Sequence, residues 1–366
     1  MKLRLAIIIT QGLSYLLIPV GLMRKKRKSV LHISYMVHIA FYTVKILRQN
    51  GVNADYLAID GNGEWQSDYT FRKSYGHVSA KELFREFFFF WKVVSRYEII
   101  HSHFMMTLTQ SAWEMKFFRM LGGKWVVHGR GCAERDRELN MKLHPAMNIC
   151  QDCDYNARIC KDPINVFRRT LSKQQADHFF VTTPDMKDFV PHAEHIPFFF
   201  PPLPLPDLTH PKSKTFKIVH VTNHPGIEGT KYIIQAIDNL RRQGYDIDFV
   251  HLSKVSNDSV LEEYKTAHLS VGKMKMGYYA NAQIESLYCG VPAITYVRKE
   301  FITPDIENSG LILADLDTLE STIRYFIDHP DKLEGKRRVT QSSVMNLHNN
   351  QAIAMRYKAV YEELLS

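Results

Sequence analysis

Two runs of alternating strand and helix signals, separated by a segment too rich in proline for either, constrain this fold most. Residues 30–34 form a short apolar run, the stretch through Val44, Ile46 and Leu47 has helical spacing and stops at Asn50-Gly51, and residues 52–59 read as the next strand. That order with short connections predicts a doubly wound parallel sheet. It recurs with strands at 98–101 and 123–128 around a helix over 111–120, and the last strand of this half, 176–181, leads into a helix capped by Thr183 and opened by Pro184. Between Pro197 and Pro206 every second residue on average is proline. Neither a central strand nor a helix interior accepts that, so a stiff crossover and a boundary after residue 207 are expected. Beyond it, strands at 216–221 and 246–252 flank a helix over 229–242, and the pattern continues through Leu287 and 292–296. Ile353, Tyr357, Val360, Tyr361 and Leu364 recur at three- and four-residue spacing, predicting that residues 346–366 hold an amphipathic helix that packs back on the first half. The expected architecture is two Rossmann-like α/β domains, 30–207 and 208–345, facing across a cleft. Ligands of such sheets meet the carboxyl ends of the strands, where His101, His103 and His128 fall.

Residues 1–29 stand apart as a membrane-associating segment. Residues 5–23 carry no charge and approach the roughly 20 apolar residues that span a bilayer as a helix. The run Arg24-Lys25-Lys26-Arg27-Lys28 follows at once, and such a cluster stays cytoplasmic and attracts anionic lipid. The expected location is the cytoplasmic face of the inner (plasma) membrane, peripheral or through one N-terminal anchor. The other reading is a buried or interfacial helix broken by Gly12 and Pro19. Lys and Arg outnumber Asp and Glu by 47 to 38, which favours an anionic partner. The basic residues concentrate in the anchor rather than on an aromatic-laced face, so a membrane surface or a phosphate is expected and nucleic acid is not. The run Phe87-Phe-Phe-Phe-Trp91 reads as core or interface, or else as a membrane-facing patch.

Five cysteines in a chain of 366 residues do not make a disulfide framework. Cys150, Cys153 and Cys160 offer three soft ligands in one loop, and either His144 or Cys132 can complete a tetrahedral structural zinc site. Buried free thiols are the alternative.

The segment from Gly277 through Tyr278, Tyr279, Glu285, Gly290 and Pro292 to Tyr296 opens a helix at Glu285 and turns tightly into a strand. It closely resembles the donor-site signature of retaining glycosyltransferase family four, which has the GT-B fold. Val127-His-Gly129, the cysteine cluster, residues 183–191 and Gly229-Thr-Lys-Tyr-Ile-Ile234 resemble the bacterial polysaccharide-biosynthesis branch of that family.

The resemblance implies transfer of a sugar from a nucleotide-sugar donor to a glycan or lipid-linked acceptor in making lipopolysaccharide or capsule, with retention and without a cofactor required for catalysis. It implies Glu285 on the ribose hydroxyls, His128 beside the donor sugar, and Asn223, His224 and Gly229 at the diphosphate. A diphosphate needs cationic side chains or helix N-terminal amides. Three departures bear on this. Gly277 replaces a second glutamate, so the amides of 277–280 and the rings of Tyr278 and Tyr279 are candidates to face the donor. Glu228 stands where a phosphate-binding lysine is usual, leaving Lys231, Lys273 or Lys275 to supply charge. Arg130 stands in an altered glycine-rich run and can serve the diphosphate or the acceptor. Two other readings fit the fold: a sugar-nucleotide epimerase needing no acceptor, and a non-catalytic homologue binding a membrane partner, suggested by Glu228.

Overall fold

The computed structural model describes residues 2–24, 27–35, 38–60, 65–72, 79–200 and 215–366. The boundary at 207, most of the proline-rich crossover, and Lys25 and Lys26 of the basic run lie outside the described residues.

The first half holds β1 (Arg27–Tyr35), β2 (Ala54–Ile59), β3 (Tyr69–Phe71), β4 (Tyr97–His103), β5 (Lys124–Gly129), β6 (His178–Val181) and β7 (Glu194–His195). They form one parallel sheet in the order β3-β2-β1-β4-β5-β6-β7. The second half holds β8 (Phe216–Val221), β9 (Ile247–Leu252), β10 (Leu269–Val271), β11 (Ala293–Thr295) and β12 (Leu311–Leu313), parallel in the order β12-β11-β10-β8-β9. Strands buried on both faces read as near-continuous apolar runs, as β2 and β5 do here. In each sheet the winding reverses once, between β1 and β4 and between β8 and β10, and these switch points open crevices at the strand ends.

The helix Asn350–Leu365 crosses from the second half to the first. Ile353, Ala354, Tyr357, Val360 and Tyr361 share one buried cluster with Val30, Val44, Tyr56 and Phe180.

Three local expectations fail. β6 is followed by β7, and Thr183 leads into a single 3₁₀ turn, Pro184–Asp188, without a side-chain cap. The tail of the basic run, Arg27 and Lys28, begins β1. The N-terminal helix Lys2–Met23 continues unbroken past Gly12 and Pro19. That helix is long and apolar enough to cross a membrane by length and composition. It lies along the helices Ala80–Lys92 and Trp113–Met120, with Ser14 Oγ accepting from Trp91 Nε1 at 3.2 Å and Tyr15 packed edge-on against Phe117. Gly21 lets the helix approach closely, because a Cβ would stand 2.6 Å from the Leu121 side chain, which would have to shift. Leu5, Ile8, Leu16 and Met23 remain exposed, and so does Phe88 of the aromatic run, whereas Phe87, Phe90 and Trp91 are core.

Candidate functional site

A cleft of about 830 Å³ separates the two sheets at the carboxyl ends of their strands. The size suits a small-molecule ligand. Its first-half wall includes Tyr35 at the end of β1, Phe104 after β4, Arg130 after β5 and Thr182 after β6. The second-half wall includes Thr222, Asn223 and His224 after β8, Lys254 after β9, Lys273 after β10, and Ala280, Asn281, Ala282 and Glu285.

Glu285 sits in the second turn of the helix Asn281–Tyr288 rather than at its opening, so it is not a helix cap. Burial pushes its carboxyl up to about 7, and a hydrogen bond from Asn257 Nδ2, 3.1 Å from Oε1, partly offsets this. The helix opens at Asn281, and its first-turn amides have no carbonyl partner within the helix. The amides of Asn281 and Ala282 therefore bring a donor-rich helix N-terminus to the cleft wall.

Gly277, Tyr278 and Tyr279 do not line the cleft. Gly277 has φ +87° and packs on Arg298, where a Cβ would come within 2.7 Å. The Tyr278 and Tyr279 rings stack on each other at 4.4 Å inside the core with Ile284, Leu287 and Val297. Their aromatic character serves packing, which the sequence pattern alone did not separate from stacking on a ligand.

The loop after β8 contributes Asn223 and His224 to the cleft. Asn223 Oδ1 accepts from the Lys254 amide at 2.7 Å, and His224 Nε2 lies 2.8 Å from the Tyr155 hydroxyl. Gly229 is buried at φ +83° against Met274 and Lys275, a left-handed cap between two helices rather than a cleft residue.

The charge on Glu228 is answered inside the protein. Its carboxylate binds the Lys273 ammonium and also accepts from the Lys273 amide at 3.3 Å. Lys231 and Lys275 point elsewhere, both to Asp152, at 3.0 and 2.7 Å. Lys254, which sequence reasoning missed, is exposed at the cleft. Lys254 and Lys273 both adopt left-handed backbone, φ 56° and 55°, directly after their strands, a strain typical of functional loops.

Behind Arg130 lies a ladder of histidines. Parallel register sets His32 opposite His101 and His103 opposite His128, and the two-residue period puts all four on the face covered by Tyr357 and Tyr361. Neighbouring rings stack with centroids 4.6 Å (His32–His101) and 4.8 Å (His101–His103) apart. Burial, then the charge of Arg130, pushes His103 and His128 well below the usual histidine range and His32 to about 3, so the ladder is neutral. A guanidinium only donates, and this fixes the tautomers. Arg130 Nε donates to His103 Nδ1 at 3.0 Å, so His103 Nε2–H donates to His32 Nδ1, also at 3.0 Å. His32 Nε2–H then faces the Tyr361 oxygen at 3.4 Å, whose hydroxyl donates to His101 Nδ1 at 2.7 Å.

The ring nitrogens of His32, His101 and His103 come within 4.8 Å of one another, as metal ligands can. Each acceptor lone pair is already used in the ladder, and a cation there would face the charge of Arg130. The cluster therefore fits a positioning role better than a metal.

His128 is fully buried behind Arg130 and does not line the cleft. Its Nδ1 has one lone pair that faces two groups, the Tyr357 hydroxyl at 2.9 Å and Arg130 Nη2 at 3.2 Å, and its Nε2 meets Thr182 Oγ1 at 3.1 Å. Arg130 itself reaches the cleft wall, and its buried Nη1 has no partner among the described residues.

No protein-family model and no curated protein sequence matches this chain. Among solved structures it is similar to a sucrose-phosphate synthase from Thermosynechococcus elongatus (15% identity, 93% of this chain and 99% of that one, TM-score 0.58). It is also similar to HepE from Anabaena in complex with UDP-glucose (10% identity, 92% and 100% covered, TM-score 0.58). A third is the pneumococcal O-GlcNAc transferase GtfA in complex with UDP and GlcNAc (9% identity, 92% and 99% covered, TM-score 0.54). The two-sheet architecture is the GT-B fold.

Proposed function

We propose that this protein is a glycosyltransferase that binds a nucleotide-activated sugar between its two sheets and transfers the sugar to a glycan or lipid-linked saccharide at a membrane surface. The observation that carries the reading is the cleft itself, with a half-buried carboxyl, Glu285, and an open helix N-terminus, Asn281–Ala282, on one wall and a cation, Arg130, on the other.

In this reading the ionised Glu285 accepts hydrogen bonds from the paired ribose hydroxyls, which charge-assisted bonding favours. The amides of Asn281 and Ala282, Asn223 and Lys254 receive the diphosphate. Arg130 presents its guanidinium charge at the cleft wall to the charge that develops on the departing diphosphate or to a phosphate on the acceptor, and acts mainly by positioning and electrostatics. His128 does not touch the sugar. It is a positioning residue that, with His103, holds Arg130 in one geometry. Retention of configuration is proposed on the family resemblance alone. Polysaccharide assembly is the setting in which a sugar transferase with a long exposed apolar helix meets a lipid-linked acceptor.

The test is incubation of the full-length protein with a panel of nucleotide sugars, with and without bacterial lipid extract. A transferase moves label to lipid and releases nucleoside diphosphate only when acceptor is present. Isomerised donor without acceptor would favour an epimerase. Neither product, from protein that binds lipid, would favour a non-catalytic homologue, the reading to which the neutralised Glu228–Lys273 pair lends support.

A further inference from the structure

From residue 144 to residue 162 the chain makes only turns and bends between the helices Arg137–Leu143 and Pro163–Gln175. Its apolar support is small: Ile149 and Cys150 pack on Ile227 with Cys132, Tyr155 and Met276 beside them. A structureless loop of this length usually needs something more to order it. Yet the loop makes exact contacts across the cleft. Asp152 pairs with Lys231 and Lys275, the Asp154 carboxylate accepts from the amides of Gly226 and Ile227 at 3.0 Å each, and the Tyr155 hydroxyl meets His224.

Cys132, Cys150, Cys153 and Cys160 all line one small cavity beneath this loop, with volume for about one ion. All four are free thiols. Asn140 Nδ2 donates to Cys150 Sγ at 3.1 Å, the kind of outer hydrogen bond that orients a metal ligand. Between Cys153 and Cys160, Asn156 and Ala157 hold left-handed backbone at φ 48° and 61°, a cost that persists only where the surroundings fix the turn. His144, the other candidate ligand, is occupied elsewhere, 2.8 Å from Asp188 Oδ2 and 2.6 Å from Arg298 Nη1.

No three of these sulfurs lie within 4.8 Å of one another, so we propose that Cys132, Cys150, Cys153 and Cys160, which line one cavity, draw together on one Zn²⁺ in a structural four-thiolate site that fixes the loop carrying Asp152, Asp154 and Tyr155 against the second domain. The two-residue spacing of Cys150 and Cys153 is that of such sites, and four thiolates leave no open position for chemistry. Binding converts thiols to thiolates and releases protons. This inference does not rest on the transferase reading.

The experiment is elemental analysis of the full-length protein, purified without metal-affinity steps and kept reduced, with thiol titration before and after a mercurial. The expected result is about one zinc per chain, released as four thiols react. Cys153→Ser and Cys132→Ser should each lower zinc at least about tenfold, while Cys289→Ser keeps it. Zinc far below one per chain after reconstitution, equal zinc in Cys153→Ser, or a coloured iron protein would overturn the proposal. If the serine variants do not fold, mercurial release from the wild-type protein decides it alone: zinc leaving as four thiols react supports the site, and thiols reacting without zinc release refute it.

Discussion

The side-chain amide of Asn257, at the first position of its helix, donates to Glu285 Oε1 at 3.1 Å from the second turn of another helix. That bond favours the ionised carboxylate, and burial, which acts against it, is stronger, leaving Glu285 near 7.

Donor affinity should therefore depend on pH. An acceptor for ribose hydroxyls must be ionised, so affinity should rise as pH increases through about 7 and flatten above it. Glu285→Gln should bind about tenfold or more weakly at high pH and lose the dependence. The stability effect runs the other way. With its folded value raised from 4.5, Glu285 holds more protons folded than unfolded between 4.5 and 7, so its contribution falls as pH rises through that window. Calorimetric titration and urea unfolding across this range check both slopes.

The histidine ladder predicts acid lability of opposite sign. With His32 lowered to about 3, the unfolded chain binds the proton first, so stability present above 6.5 is lost as pH falls below it. Tyr361→Phe removes the donor to His101 Nδ1 and should cost about 1–3 kcal/mol in denaturant unfolding. His101 Nε2 already lacks a partner among the described residues, so the ring would be left unbonded.

Glu228 and Lys273 form a largely buried pair, with side chains 7% and 17% exposed. Removing one partner strands the other charge, so Lys273→Met should destabilise the second domain by about 3 kcal/mol, and Glu228→Gln in the same chain should restore most of it. A double-mutant cycle in urea measures the coupling.

The N-terminal helix presents Leu5, Ile8 and Leu16 outward while Ala6, Thr10 and Ser14 face the protein. With one face already committed to the domain, the helix should lie along a membrane surface rather than leave the domain to cross it. Vesicles of acidic phospholipid should sediment the full-length protein, and Ile8→Glu with Leu16→Glu should release it without lowering the thermal midpoint. Retention of the double variant on vesicles would contradict this.

How much was legible in the sequence follows from what each pattern encodes. Strand–helix alternation reports burial period, so the paired sheets and the strand ends could be read directly, whereas Glu285 was singled out by resemblance to a donor-site signature and sits one turn further into its helix than expected. The short strands β3, β7, β10 and β12 carry too few residues for a period and were missed. Partner identity is set by three-dimensional neighbours. Nothing in the order of residues tells that Lys231 and Lys275 answer Asp152, that Tyr278 and Tyr279 stack in the core, or that His32 joins His101, His103 and His128 behind Arg130. Lys254 gave no signal except its place just after a strand.

The most direct test of the donor site is calorimetric binding of UDP, GDP, ADP and CMP and their sugars to the full-length protein and to Glu285→Ala. One nucleotide series should bind, and the substitution should weaken it about 10- to 100-fold while the fold, read by circular dichroism, stays intact. Binding of none by a folded protein, or equal binding by Glu285→Ala, would contradict the account.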